Sequence, residues 1–191
     1  MRQVIDESKG LRVKQSACFI CSCAAASKQV RHGDLLIYKC PYCGQYCVKD
    51  SDGAWIEAEQ PVFFKKAPAL AFERKLKGLD KYELRWAQDV KQACLGNVPF
   101  LSDYPDSFPD RLDRVLLNIA RRLDFDPTLA LSDASFVPAM FFVEPDLSNE
   151  IDYLPTMRAM ISVLQHEGFV GYHHDTYEHE NLHLTYQGMV K

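Results

Sequence analysis

The sequence predicts an α+β protein, and three observations predict it. Six of the seven cysteines lie within 18–47, in a stretch rich in strand-forming residues. Apolar residues at helical spacing then recur among Leu70 to Val90, Leu112 to Leu123 and Met157 to Leu164. Finally, Phe169-Val170-Gly171-Tyr172 and Asn181-Leu182-His183-Leu184 flank a polar run, the pattern of a hairpin. The expected organisation is a cysteine-rich ribbon over 1–60, a helical connector over 61–105, and a domain of helices and a hairpin over 106–191.

The ribbon carries the sharpest chemistry. Two Cys-x-x-Cys pairs, Cys18/Cys21 and Cys40/Cys43, are separated by the eighteen residues 22–39, a spacing that fits a four-cysteine zinc site. Each short turn brings two thiolates to one ion, and a folded hairpin between the turns completes the tetrahedron. Gly44 follows the last of these cysteines, where the chain reverses and positive φ is expected. A redox reading needs one pair on a strand-to-helix turn, not two pairs bracketing a hairpin. One Zn2+ bound by Cys18, Cys21, Cys40 and Cys43 has no open position, so its expected role is structural. Cys23 and Cys47 are left over, as a displaced ligand set or spare thiols. Strands are expected over 28–30, 35–39 and 45–49, with His32-Gly33-Asp34 and Ser51-Asp52-Gly53 as turns and Trp55 and Ile56 covering the open side. So small a module buries little, and the metal supplies folding free energy on the order of 10 kcal/mol.

Beyond Pro68 two helical pieces are expected: Leu70, Phe72, Leu76 and Leu79 first, then Tyr82, Leu84, Trp86 and Val90 after Gly78, stopping at Leu95-Gly96-Asn97. Residues 65–91 hold eight Lys or Arg against four acids, the most basic stretch of the chain. Lys75, Lys77, Lys81 and Arg85 are therefore the candidate nucleic-acid contacts, although interleaved acids also describe a solvated face. Cys94 reads as a small buried hydrophobe, and the prolines of 99–109 mark a linker or ordered loop.

Ser107 then caps a helix with Pro109 and Asp110 in its first turn and Arg121 and Arg122 in its last. Residues 136–143 read as a short edge strand containing Pro138. A helix entered near Pro155 ends at Gly168, and the hairpin follows. Thr185 reads as the cap of one more helical turn, too short to stand alone. The polypeptide is accordingly expected to continue past Lys191, or that turn to dock elsewhere.

At 191 residues and 47% hydrophobic content, the chain suits one core plus a metal-stabilised module, or two modest domains. No run is long enough to span a membrane, and the N-terminus lacks the apolar core of a signal peptide, so a soluble cytoplasmic protein is expected. The net charge of -4 is unevenly placed. Residues 1–130 hold 20 bases and 17 acids, whereas 131–191 hold 2 and 9, which makes the C-terminal third a poor surface for phosphates.

Gly168-Phe169-Val170 leading into a hairpin that leaves through Leu184-Thr185-Tyr186-Gln187-Gly188 resembles a winged helix. Joined to the Cys40-Pro41-Tyr42-Cys43-Gly44 ribbon, the layout resembles bacterial proteins in which a zinc ribbon and a winged-helix-like module precede a variable effector or nucleotide-processing domain, often in defence-type systems. The resemblance covers most of 17–191 and carries over no catalytic residue. A winged helix first implies DNA binding. Yet residues 149–167 contain one base, Arg158, against Glu150, Asp152 and Glu167, and the hairpin adds Asp175, Glu178 and Glu180. Self-association or docking of a protein partner is therefore preferred over DNA. His173, His174, His179 and His183 are candidates for a second metal or a pH response, or are polar surface. No Gly-rich phosphate loop, nucleophile elbow or carboxylate pair is present, and Asp124 and Asp126 read as turn residues. An enzyme would have to use Cys23, Cys47 or the histidines. The expected function is a zinc-binding regulatory, sensor or adaptor module, with a nucleic-acid-binding regulator as the alternative.

Overall fold

Alternating strand formers, broken by the two cysteine turns, build a meander that later elements extend. The computed structural model describes residues 4–6, 11–24, 26–30, 34–123, 129–130, 137–143, 153–174 and 180–185. These fall into two compact units, Met1–Tyr104 and Pro105–Lys191.

The first unit is an eight-stranded sheet with strands in sequence order. Strands β1 (Val4–Asp6), β2 (Leu11–Gln15), β3 (Ser27–Val30), β4 (Leu35–Cys40) and β5 (Gly44–Lys49) pair antiparallel with their neighbours. The chain then crosses over through α1 (Asp50–Glu59) and α2 (Phe63–Leu76) and returns as β6 (Lys81–Ala87), parallel to β5. Strands β7 (Gln92–Leu95) and β8 (Val98–Pro99) complete the sheet, and Phe100–Asp103 forms a 3-10 turn. The parallel pair explains the two helices, because a parallel return needs a crossover of a dozen or more residues.

Several expectations are corrected here. Tyr82, Leu84 and Trp86 lie on strand β6, not in a second helix: the segment Lys81-Tyr82-Glu83-Leu84-Arg85-Trp86-Ala87 alternates with the period of two that a sheet imposes, burying Leu84 and Trp86 while Arg85 faces solvent. Residues 61–105 are thus not a separate helical connector; they contribute three strands to the sheet that holds the cysteines. The unit that carries the cysteines is accordingly larger than a three-stranded ribbon over 1–60. Ser51-Asp52-Gly53 is not a turn but the first turn of α1, where Asp50 and Asp52 favour the positive end of the helix dipole. The expected turn at His32-Gly33 lies outside the described residues.

Burial alternates along β4, β5 and β6. Leu36, Tyr38, Tyr46, Val48, Leu84 and Trp86 form the buried set with Ile56 from α1 and Phe63, Ala67 and Leu70 from α2. Trp55 is half exposed and stacks on Trp86 with ring centroids 6.5 Å apart. Where α1 meets α2, the buried Gln60 side chain accepts from the Ala93 amide at 2.9 Å, tying the helix junction to β7. Helix α2 ends at Gly78 (φ +70), which lets the Gly78 amide reach Lys75 O and the Leu79 amide reach Arg74 O, the paired bonds of a Schellman motif.

In the second unit, α3 (Phe108–Arg122) is followed by β9 (Leu129–Ala130), α4 (Val137–Met140), α5 (Tyr153–His166), β10 (Val170–His174) and β11 (Glu180–Leu184). The sheet order is β10-β11-β9, all antiparallel. Ser107 caps α3 as expected, its hydroxyl accepting from the Asp110 amide at 3.2 Å. Gly168 (φ +74) ends α5 with the same pair of bonds as Gly78, from Gly168 to Gln165 O and from Phe169 to Leu164 O. The segment expected to be an edge strand over 136–143 instead contains the short helix α4, and Phe141, Phe142 and Val143 bury behind it. Val115, Leu116 and Ile119 of α3 and Met157, Met160, Ile161 and Leu164 of α5 are also buried, with Met140 and Val170. Asn118 is fully buried among them and donates to Met140 O at 3.4 Å. Residues 186–191, where a final helix is expected, lie outside the described residues, as do the side chains of His173, His174 and His183 and all of His179. Among the described residues no helix is long and apolar enough to cross a membrane.

Candidate metal centre

The first cysteine turn lies between β2 and β3 and the second between β4 and β5. The fold brings them together: Cys18, Cys21, Cys40 and Cys43 have sulfur atoms all within 4.8 Å of one another, a group that can hold a metal ion. Cys21 and Cys40 sulfurs are 3.6 Å apart, close to the roughly 3.8 Å between thiolates around a tetrahedral zinc with 2.3 Å bonds. Cys18, Cys40 and Cys43 are buried, and Cys21 is partly so.

Each turn uses the same local device. The residue after the second cysteine adopts positive φ, Ser22 at 58° and Gly44 at 81°. Only the second is glycine, and its surroundings say why: a Cβ on Gly44 would lie 2.4 Å from Asp80 Cβ and 2.8 Å from Asp80 O. The backbone of Asp80, leading into β6, is held there by the Gln45 amide at 2.8 Å. The first turn is closed by the Ser22 amide on Cys18 O and the Cys18 amide on Cys23 O, both 2.9 Å.

Distant elements grip the second turn. Lys75 of α2 donates to Pro41 O, and the Tyr82 hydroxyl of β6 donates to Cys43 O at 3.3 Å. Tyr82 belongs to a row set by strand register: Lys28 pairs with Tyr38, Tyr38 with Tyr46, and Tyr46 with Tyr82. The three tyrosine rings stack at 5.2 and 5.4 Å with planes 12° apart. Lys28 sits over one end of the stack at 5.7 Å and Arg74 over the other at 5.1 Å.

Proximity couples the four thiols. Hydrogen bonding from Cys21 is the main reason the Cys18 thiol is lowered from 9.0 to about 7, and bonding from Cys18 lowers Cys40 further. The reciprocal bonds raise Cys21 and Cys43, with burial adding to the rise. Four buried thiols therefore cannot all ionise together unaided, whereas a divalent ion makes four thiolates favourable. Burial pushes the Tyr46 hydroxyl well up, and the neighbouring Cys18 charge adds to that, so it stays protonated. Cys47 and Cys94 stand apart from the group; burial raises both thiols, helped by the charges of Glu83 and Asp89 respectively.

Three of the four basic candidates bond acceptors of their own chain. Lys75 serves the second cysteine turn, Lys77 pairs with the buried Glu73 at 3.1 Å, and Arg85 forms a fork with Glu83 at 2.9 and 3.1 Å. Lys81 is exposed at the start of β6. Sequence reasoning missed the residues that support the cysteines, namely Tyr46, Tyr82, Asp80 and the structural use of Lys75. The available signal was the alternation of Tyr46 and Val48 after Gly44 and of Tyr82 and Leu84 after Asp80, which places both tyrosines on one sheet face. No family model, characterised protein or solved structure matches this chain.

Proposed function

We propose that this protein is a zinc-stabilised regulatory, sensor or adaptor module that works by binding a protein partner, a small ligand or a second copy of itself. The observation that carries this reading is the closed set of four sulfurs, which leaves a bound zinc no position for water or substrate. The ion's contribution is then to hold the first unit together, and recognition falls to the surfaces around it. In the second unit the order helix, strand, helix, helix, strand, strand, with β9 beside β11, supports a winged-helix-like domain. The described exposed positions of its α5, among them Thr156, Arg158, Ser162, Val163, Gln165 and His166, offer one Arg or Lys, which favours protein contact over phosphate contact. Membership of a bacterial defence assembly remains part of this proposal through the resemblance of the ribbon and hairpin motifs.

The second reading, a nucleic-acid-binding regulator, rests on the basic content of 65–91, and the engagement of Lys75, Lys77 and Arg85 with acceptors of their own chain counts against it. One set of measurements separates the two. Elemental analysis of purified protein is expected to give about one zinc per chain, and Cys40→Ser to abolish soluble folding. Fluorescence anisotropy with labelled DNA and RNA is expected to show no binding at low salt. Salt-sensitive binding weakened by Lys81→Ala and Arg85→Ala would move the assignment to the second reading, and metal-free protein that stays folded would remove the first.

A further inference from the structure

The two cysteine turns use the amide two residues after their first cysteine differently. In the second, the amide two residues after the first cysteine bonds the sulfur directly: Tyr42 N–H to Cys40 Sγ, 3.4 Å. In the first, the equivalent amide is that of Ile20, and it donates instead to the hydroxyl oxygen of Tyr46 at 3.3 Å. That hydroxyl lies 3.0 Å from Cys18 Sγ. A thiolate at Cys18 has no proton to give, so the tyrosine must donate to it. The chain of bonds runs from Ile20 N–H to Tyr46 oxygen, and from Tyr46 O–H to Cys18 sulfur. A side chain from β5 is thus interposed where the other turn uses its own backbone.

We propose that Tyr46 is a positioning residue of the metal centre, holding the first cysteine turn around the ion and tuning the Cys18 sulfur; the inference rests on the zinc reading above. Its placement leaves little freedom. Tyr46 is 1% exposed, its backbone is paired on both sides by β4 and β6, and its ring is held between those of Tyr38 and Tyr82. Such a group resists displacement, so in the folded sheet the Cys18 sulfur meets a fixed donor. Residues that hydrogen-bond metal ligands change affinity by about 10- to 100-fold when removed.

The test compares full-length wild type, Tyr46→Phe and Tyr38→Phe. Tyr38 shares the stack and so controls for loss of a hydroxyl from it. Each protein is titrated with cobalt(II), whose absorption reports tetrahedral thiolate ligation, and zinc affinity is read by competition. Tyr46→Phe is expected to weaken zinc about 10-fold or more and to move the sulfur-to-cobalt charge-transfer band to longer wavelength, because a sulfur without its O–H donor gives up an electron more easily. Tyr38→Phe is expected to match wild type in both. A Tyr46→Phe chain that takes up no metal while Tyr38→Phe loads fully also supports the assignment. Equal affinity and an unchanged spectrum in Tyr46→Phe overturn it and leave the zinc reading standing. A wild type without the tetrahedral cobalt spectrum overturns both.

Discussion

At Gly44 the positive φ of the cysteine turn coincides with the closest approach of β6's leading edge. The hydrogen atom in place of a side chain lets Asp80 O reach the Gln45 amide, and the obstacle to any larger group is Asp80 Cβ with the Asp80 backbone, neither of which can swing aside. Gly44→Ala is expected to destabilise the metal-loaded protein by about 3 kcal/mol or more, the sum of a left-handed conformation and a steric clash. Urea unfolding followed by circular dichroism measures this. The matching position in the first turn already accepts a side chain, Ser22, so Ser22→Gly is the control and is expected to change stability by no more than about 1 kcal/mol. The difference between the two turns was not legible from their shared spacing. The sequence marks Gly44 as a turn glycine, but Asp80, thirty-six positions further on, is the reason the glycine is needed.

Among the elements, α3 is the one most fully written in local sequence. Its cap, its proline, its first acid and its last two bases all lie within the helix or one residue outside it, and the structure uses Ser107 in that way. Ser107→Ala is expected to cost about 1 kcal/mol, read as a lower melting temperature, with Ser107→Asp restoring most of the loss. Gly168 and the cysteine pairs were legible for the same reason, since each acts on bonds within a few residues. Strand β6 was not read correctly although Tyr82, Leu84 and Trp86 alternate. The helical run before it suggested continuation, and what decides for strand is the open edge of β5, a partner more than thirty residues away. Strands β1 and β2 are harder still, because short polar strands take their conformation from the β3 edge they extend. At α4 and the buried Phe141-Phe142, an apolar run fits a strand or a helix equally, and periodicity cannot choose between them.

At the scale of the whole molecule, the two compact units differ in what holds them. The first has its four-cysteine group at the junction of four strands, while the second has an ordinary apolar interior around Ile119, Met140 and Met160. Under the zinc reading, chelation with EDTA is expected to remove amide-exchange protection from β3, β4 and β5 while α3 and α5 keep theirs. Acidification is expected to act the same way, because protons and zinc compete for the same sulfurs and affinity falls as pH falls. Hydrogen exchange with mass spectrometry checks both, and parallel loss of protection in α3 would contradict the division. The tyrosine row carries one more consequence, for how the sheet comes to be paired correctly. Sliding β4 against β5 by a single residue would leave Tyr38 and Tyr46 on opposite faces of the sheet and break the Cys40 to Gly44 pairing that sets the second turn. A chain caught in that slipped pairing would lack the geometry to chelate, so only correctly aligned molecules would gain the ion's stabilisation. The metal would then act as a proofreader of strand alignment during folding, rejecting a misfold that hydrogen bonding alone would tolerate.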